Sequence, residues 1–240
     1  MRRYLSAVVL LLVGGAVLRI SLFSALYLRY VQPGLRPYLV VSGALLVLLG
    51  AAAGVRAARE VPDETPHGHG HPHADTAAPR LAWLIALPAA ALLFFPPPAL
   101  GSYSAEREQA QREAQGVGTF PALPAGDPVN LTIAQFSSRA VYDSGRSLKG
   151  RTVRFTGFVT GDDDDRWYVT RLLVSCCAAD ATTSKVQIRA ADAPAKDTWV
   201  TVTGVWRPEG RLGSSTAWPP VLDAKTVRRV EQPTDPYEKR

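Results

Sequence analysis

Cysteine is nearly missing from this chain of 240 residues: there are two, side by side, at Cys176 and Cys177. A disulfide framework is therefore excluded, since the ring closed by neighbouring cysteines strains the peptide between them. Two thiols this close point to redox chemistry, a soft metal, or plain packing. Histidine is confined to one stretch, so no Ser-His or Cys-His dyad is available further along the chain. No serine nucleophile elbow, phosphate loop, C-x-x-C or pair of catalytic carboxylates is present. Nor is there a Lys/Arg block with interleaved aromatics. The net charge of +6 and pI near 9.5 come from scattered residues, and nucleic-acid binding is not expected. These absences favour a protein that is not an enzyme.

What is present falls into two halves. The mean hydropathy of +0.00 and the 20% of charged residues average over them. Before residue 100 charges are sparse and apolar runs long. These runs cover Tyr4 to about Leu28, Tyr38 to Val55, and Leu81 to about Leu100. Each approaches the roughly 20 residues needed to cross a hydrocarbon core, which predicts three α-helical spans in a lipid bilayer. The first, preceded by Arg2 and Arg3, also has the layout of a signal peptide, but no small-x-small cleavage site follows it. Arg19 interrupts it and reads as a near-interface residue or a contact for a partner or ion. Pro88 predicts a kink in the third span, and the prolines at 96–98 end it. An N-terminus inside the cell leaves Arg2, Arg3, Arg56, Arg59 and Arg80 cytoplasmic, against Arg29, Arg36, Arg107 and Arg112 outside. This bias predicts a multi-pass protein of the cell membrane with its C-terminal domain extracytoplasmic.

Between the second and third spans, residues 56–80 form a loop holding all four histidines: His67, His69, His71 and His73. Their spacing of two, among glycine and proline, lets several imidazoles reach one Zn²⁺, Ni²⁺ or Cu²⁺. In a loop without regular structure such a tract acts as a metal-catching tether; a solvated polar linker has the same composition.

The transmembrane region is assigned to 1–102, a stalk and Gly/Pro-rich linker to 103–128, and a soluble domain to 129–240. A short helix is expected at Leu131–Ala140 with Asn130 as its N-cap. Strands are expected at Arg151–Thr160, Trp167–Val174, Lys185–Arg189, Thr198–Trp206 and Val221–Val230. Gly157 and Gly204 hold similar places in their strands, where a tight bend leaves no room for a side chain. Five short, curved strands predict an all-β, OB-like barrel. The Asp162–Asp165 run reads as a solvated turn, because consecutive carboxylates in a hairpin cannot converge on one calcium ion.

The Cys pair lies in Ser175-Cys176-Cys177-Ala178-Ala179-Asp180-Ala181, at a strand end. On a regular strand adjacent thiols point to opposite faces, so joint binding of one metal requires the backbone to turn. Asp180 would then supply an oxygen ligand or hydrogen-bond the loop's own amides. Buried structural cysteines are the alternative.

Three spans around a His-rich loop, the FFPPPAL stretch closing the third span, GRTVRFTGFV, RLLVSCCAADA and DTWVTVTGVW together resemble the YcgQ-like family of uncharacterised bacterial membrane proteins. The resemblance extends over essentially the whole chain. It implies a partner, a YraQ/YcgR-type permease, and marks Cys176, Cys177 and Asp180 as the motif positions. The function expected is an accessory membrane subunit of that permease, handling a metal (zinc or another transition metal) or another small solute. Two alternatives stay open. One is a membrane-tethered thiol redox protein, although the nearest cation to the pair is Arg171. The other is a structural adaptor whose OB-like surface binds a protein or glycan.

Overall fold

Helix α1 (Arg2–Leu22) and helix α2 (Arg36–Arg59) follow the first two apolar runs. In the computed structural model, residues 2–59, 98–107, 117–161 and 166–239 are described. One helical stretch, Pro33–Arg59, is long and apolar enough to cross a membrane; the apolar part of α1, Ser6–Leu22, is shorter. Gly43 and Gly50 of α2 are buried where α1 packs against it, the small-residue contact that lets helix backbones approach. The faces turned away stay apolar and open, with Leu12 61% and Val41 68% exposed. The third expected span up to residue 97, the histidine tract and the Asp162–Asp165 turn lie outside the described residues; Ala99 and Leu100, expected to end that span, pack instead against the cluster around Tyr237.

The chain divides into two compact units. Residues 99–240 form the second, together with the five-residue segment Leu28–Gln32. Seven strands build it: β1 (Val129–Asn130), β2 (Thr152–Gly161), β3 (Trp167–Val174), β4 (Thr182–Arg189), β5 (Trp199–Arg207), β6 (Val221–Arg229) and β7 (Tyr237–Lys239). Their order is β1-β2-β5-β6-β4-β3-β7, and β2 also pairs with β3. The mixed sheet is thus partly ring-like. Its β4–β6, β1–β2 and β3–β7 pairings are parallel and the others antiparallel. Alternation puts Val153, Phe155, Val159, Val169, Val186, Val200 and Val202 into one buried cluster.

Helix α4 (Ile133–Tyr142) closes that cluster with Ile133, Phe136 and Ala140, one apolar stripe at helical spacing. Its N-cap is Thr132 rather than the expected Asn130, which is the last residue of β1. Thr132 Oγ1 accepts from Gln135 N at 3.0 Å and Gln135 Oε1 accepts from Thr132 N at 3.1 Å, a reciprocal box that Asn130 is two residues too early to make. Helix α3 (Ser102–Arg107) is the part of the expected stalk that is described. It places Ala105 with Phe158, Leu172, Val174 and Tyr237 in a second cluster on the other face of β3. What the sequence presents as a loose linker is tied down: Pro121 O accepts from Arg139 at 2.9 Å, and Arg139 stacks on Phe120.

Both strand glycines are where crowding demands them. A Cβ on Gly157 would stand 2.5 Å from Thr170 O. One on Gly204, beside the register shift of β5 against β6, would strike Asp223 O and lie 2.9 Å from Leu222 Cδ2. Gly204→Ala should therefore destabilise the domain by about 1–3 kcal/mol, read as a lower denaturation midpoint of the full-length chain in detergent. An unchanged midpoint contradicts the packing described here.

Candidate metal centre

The link from β3 to β4 carries the Cys pair. The last β3–β4 register pair is Leu173–Thr182, and the chain between them must reverse within a few residues. It does so around Asp180, which ends a 3-10 turn at Ala178–Asp180. Asp180 Oδ1 accepts from Ser175 N at 2.7 Å, and Oδ2 accepts from Cys176 N at 2.7 Å and Cys177 N at 3.2 Å. One carboxylate thus satisfies three successive amides that have left the ladder.

This turn breaks the opposed orientation that a strand would impose on neighbouring side chains. Cys176 Sγ and Cys177 Sγ are 3.7 Å apart, and the Cys176 thiol donates to Asp180 Oδ2 at 2.8 Å. Both cysteines are unbonded to each other; Cys176 is exposed and Cys177 half-buried. Their sulfurs and an Asp180 oxygen lie within 4.8 Å of one another, a donor set able to hold a metal ion. The three residues singled out in the motif are therefore together in space. His67, His69, His71 and His73 fall outside the described residues.

The electrostatics follow from the same contacts. The hydrogen bond from Cys176, with the three amides, holds the Asp180 carboxyl down at about 2. Reciprocally, the bond to Asp180 and the neighbouring Cys177 sulfur push the Cys176 thiol up to about 11. A reactive thiolate needs the opposite shift. Arg171, the nearest cation in sequence, is engaged elsewhere. It donates to Tyr237 O at 3.1 Å, sits 3.9 Å from Glu238 Oε1 and lies over the Trp199 ring.

Two features of the surroundings were not legible in the sequence. Segment Leu28–Gln32 runs antiparallel to the motif, with Val31 opposite Cys177. Gln32 N donates to Cys176 O at 3.0 Å, Ala178 N donates to Tyr30 O at 2.8 Å, and Gln32 Nε2 donates to Val174 O. The backbone on each side of the thiols is thereby clamped. The second feature is Glu238 on β7, whose carboxylate accepts from Ile133 N at 2.9 Å and Ala134 N at 3.0 Å at the start of α4. Burial raises its pKa against the pull of those amides and Arg171. It locks β7 beside β3, the strand that leads into the motif.

Residues 125–238 match the DUF1980 C-terminal domain. That match takes in β1 to β7, apart from the last residue of β7, and the whole Cys-Cys-Asp turn. No curated protein and no solved structure gives a match.

The turn predicts how Cys176 titrates. Its alkylation rate should keep rising until pH is near 11, and Asp180→Asn should move the midpoint back toward the ordinary 9.0. The raised thiol value contributes stability that is present below 9.0 and lost as pH climbs to about 11. The lowered Asp180 value contributes stability that is present above 3.8 and lost as pH falls toward 2. Equal alkylation profiles for parent and variant would show that the carboxylate does not hold the thiol.

Proposed function

We propose that this chain is an accessory membrane subunit that presents a cation-binding thiol site to a permease. The observation that carries this reading is the convergence of Cys176, Cys177 and Asp180 in a chain that also contains a membrane-length apolar helix. The open apolar faces of α1 and α2 suit lipid rather than water, which supports a membrane anchor, and the three spans of this reading rest on the apolar runs of the sequence. The arginine distribution supports a cytoplasmic N-terminus and an extracytoplasmic domain. In this reading the domain is an OB-like barrel. Support comes from the closure of β2, β5, β6, β4 and β3 through the β2–β3 pairing, and from α4 capping one end of the buried cluster.

The YcgQ-like assignment and its YraQ/YcgR-type permease belong to this proposal, as does zinc or another transition metal as cargo. The histidine tract would collect cations on the other side of the membrane. A thiol redox role is disfavoured by the raised Cys176 pKa, and the clustered donors favour a cation site over a plain adaptor.

The test uses tagged full-length chain extracted from its own membrane. It should require detergent, co-purify with a multi-span permease and, with His67, His69, His71 and His73 replaced by Ala, carry a transition metal that Cys176→Ser with Cys177→Ser removes. A chain that stays monodisperse in detergent-free solution after ultracentrifugation refutes the membrane reading. Unchanged metal content in the double variant refutes the thiol site.

A further inference from the structure

Resting on the cation reading of the Cys-Cys-Asp turn, we infer that the site takes a tetrahedral divalent cation of the Zn²⁺ class and keeps one coordination position open. The distance between the sulfurs makes the first half of the case. Two thiolates on one tetrahedral Zn²⁺, each at about 2.3 Å, stand about 3.8 Å apart. The turn holds Cys176 Sγ and Cys177 Sγ at 3.7 Å before any ion arrives. A soft monovalent ion held linearly between the same two sulfurs, at the same bond length, would need them about 4.6 Å apart. Reaching that separation means rotating a thiol out of the place that the fixed backbone gives it, away from its contact with Asp180 or with its neighbour.

That fixation is specific. Asp180 ties the amides of Ser175, Cys176 and Cys177, and the Leu28–Gln32 segment ties Cys176 O and Ala178 N. A site whose ligands are pre-positioned selects by geometry, because distorting it for a misfit ion costs the hydrogen bonds that hold it. The third donor points the same way. A carboxylate beside two thiolates makes a mixed soft and hard set, which suits Zn²⁺ better than Cu(I), a thiolate ion, or Mg²⁺ and Ca²⁺, which are oxygen ions. Asp180 Oδ2 now lies 2.8 Å from Cys176 Sγ with the thiol proton between them. A shared Zn²⁺ sets sulfur and oxygen about 3.5 Å apart, so loading takes the proton of each thiol, releases both to solvent and widens the gap between the Cys176 sulfur and the Asp180 oxygen by roughly 0.7 Å.

The open position follows from counting and access. Among the described residues three donors converge on this point, whereas closed structural zinc sites supply four. Cys176 is exposed, so an incoming ligand can approach the ion directly. Three protein ligands and one exchangeable position are what a site needs in order to pass its cation on.

The experiment uses the full-length chain in detergent, in a background where His67, His69, His71 and His73 are each replaced by Ala, so that the tract cannot bind the probe. Co²⁺ should bind one to one with the strong visible bands of a tetrahedral ion and a near-ultraviolet thiolate charge-transfer band. Zn²⁺ should displace it and Mg²⁺ should not. Added imidazole should perturb the spectrum saturably. Asp180→Asn should weaken Co²⁺ binding at least tenfold while the charge-transfer band stays, and Gln32→Ala should narrow the preference for Zn²⁺ over Ag⁺. Tight Ag⁺ binding without a tetrahedral Co²⁺ spectrum overturns this inference but leaves a thiol cation site in place. A tetrahedral spectrum blind to imidazole overturns the open position alone. Binding that survives Cys176→Ser with Cys177→Ser, or no binding of either ion, overturns the thiol site itself. Far-ultraviolet circular dichroism of each variant separates these outcomes from misfolding.

Discussion

One carboxylate governs the working end of this domain. Where β3 stops, three successive amides lose their ladder partners, and Asp180 accepts all three. Leaving them unpaired would be costly wherever water cannot reach, and satisfying them with one side chain bends the chain back on itself. The bend is what brings two neighbouring thiols to the same side. The carboxylate that orders the amides also accepts the hydrogen bond of the Cys176 thiol, so backbone shape and thiol protonation are set by a single group.

The rest of the fold holds that turn still. β3 is paired on both sides along part of its length, with β4 and β2 through its first half and with β4 and β7 toward its end. Its two faces feed separate apolar clusters, one sealed by α4 and the other by α3. Glu238 joins these parts by capping α4 from β7, where Arg171 sits beside it. Leu28–Gln32 completes the frame from a distant part of the chain. Rigid elements therefore surround a short, partly exposed loop, the arrangement in which binding chemistry is usually placed.

Much of this was readable from residue order, for a physical reason. Strand β5 alternates throughout and β2 and β4 over part of their length, and Val153, Phe155, Val186, Val200 and Val202 are buried where that alternation puts them, whereas β3 is buried on both faces. The crowding at Gly157 and Gly204 was also legible, since glycine inside a strand marks close approach. β1 and β7, of two and three residues, are too short to show a period. The start of α4 was misplaced because both Asn130 and Thr132 are good caps, and only the partner three residues on, Gln135, distinguishes them. No local pattern announces that Gln32 meets Cys176 or that Glu238 meets Ile133. Such contacts are made by chain closure over long separations, and nearby residues carry no trace of them.

The central claim is that the Cys-Cys-Asp turn is a ready-made dithiolate and carboxylate donor set. X-ray absorption at the zinc edge of the metal-loaded full-length chain, with His67, His69, His71 and His73 replaced by Ala, tests it most directly. The account predicts a first shell of two sulfurs at about 2.3 Å with the remaining positions filled by light oxygen or nitrogen atoms. A shell of four sulfurs, or one containing none, would contradict it.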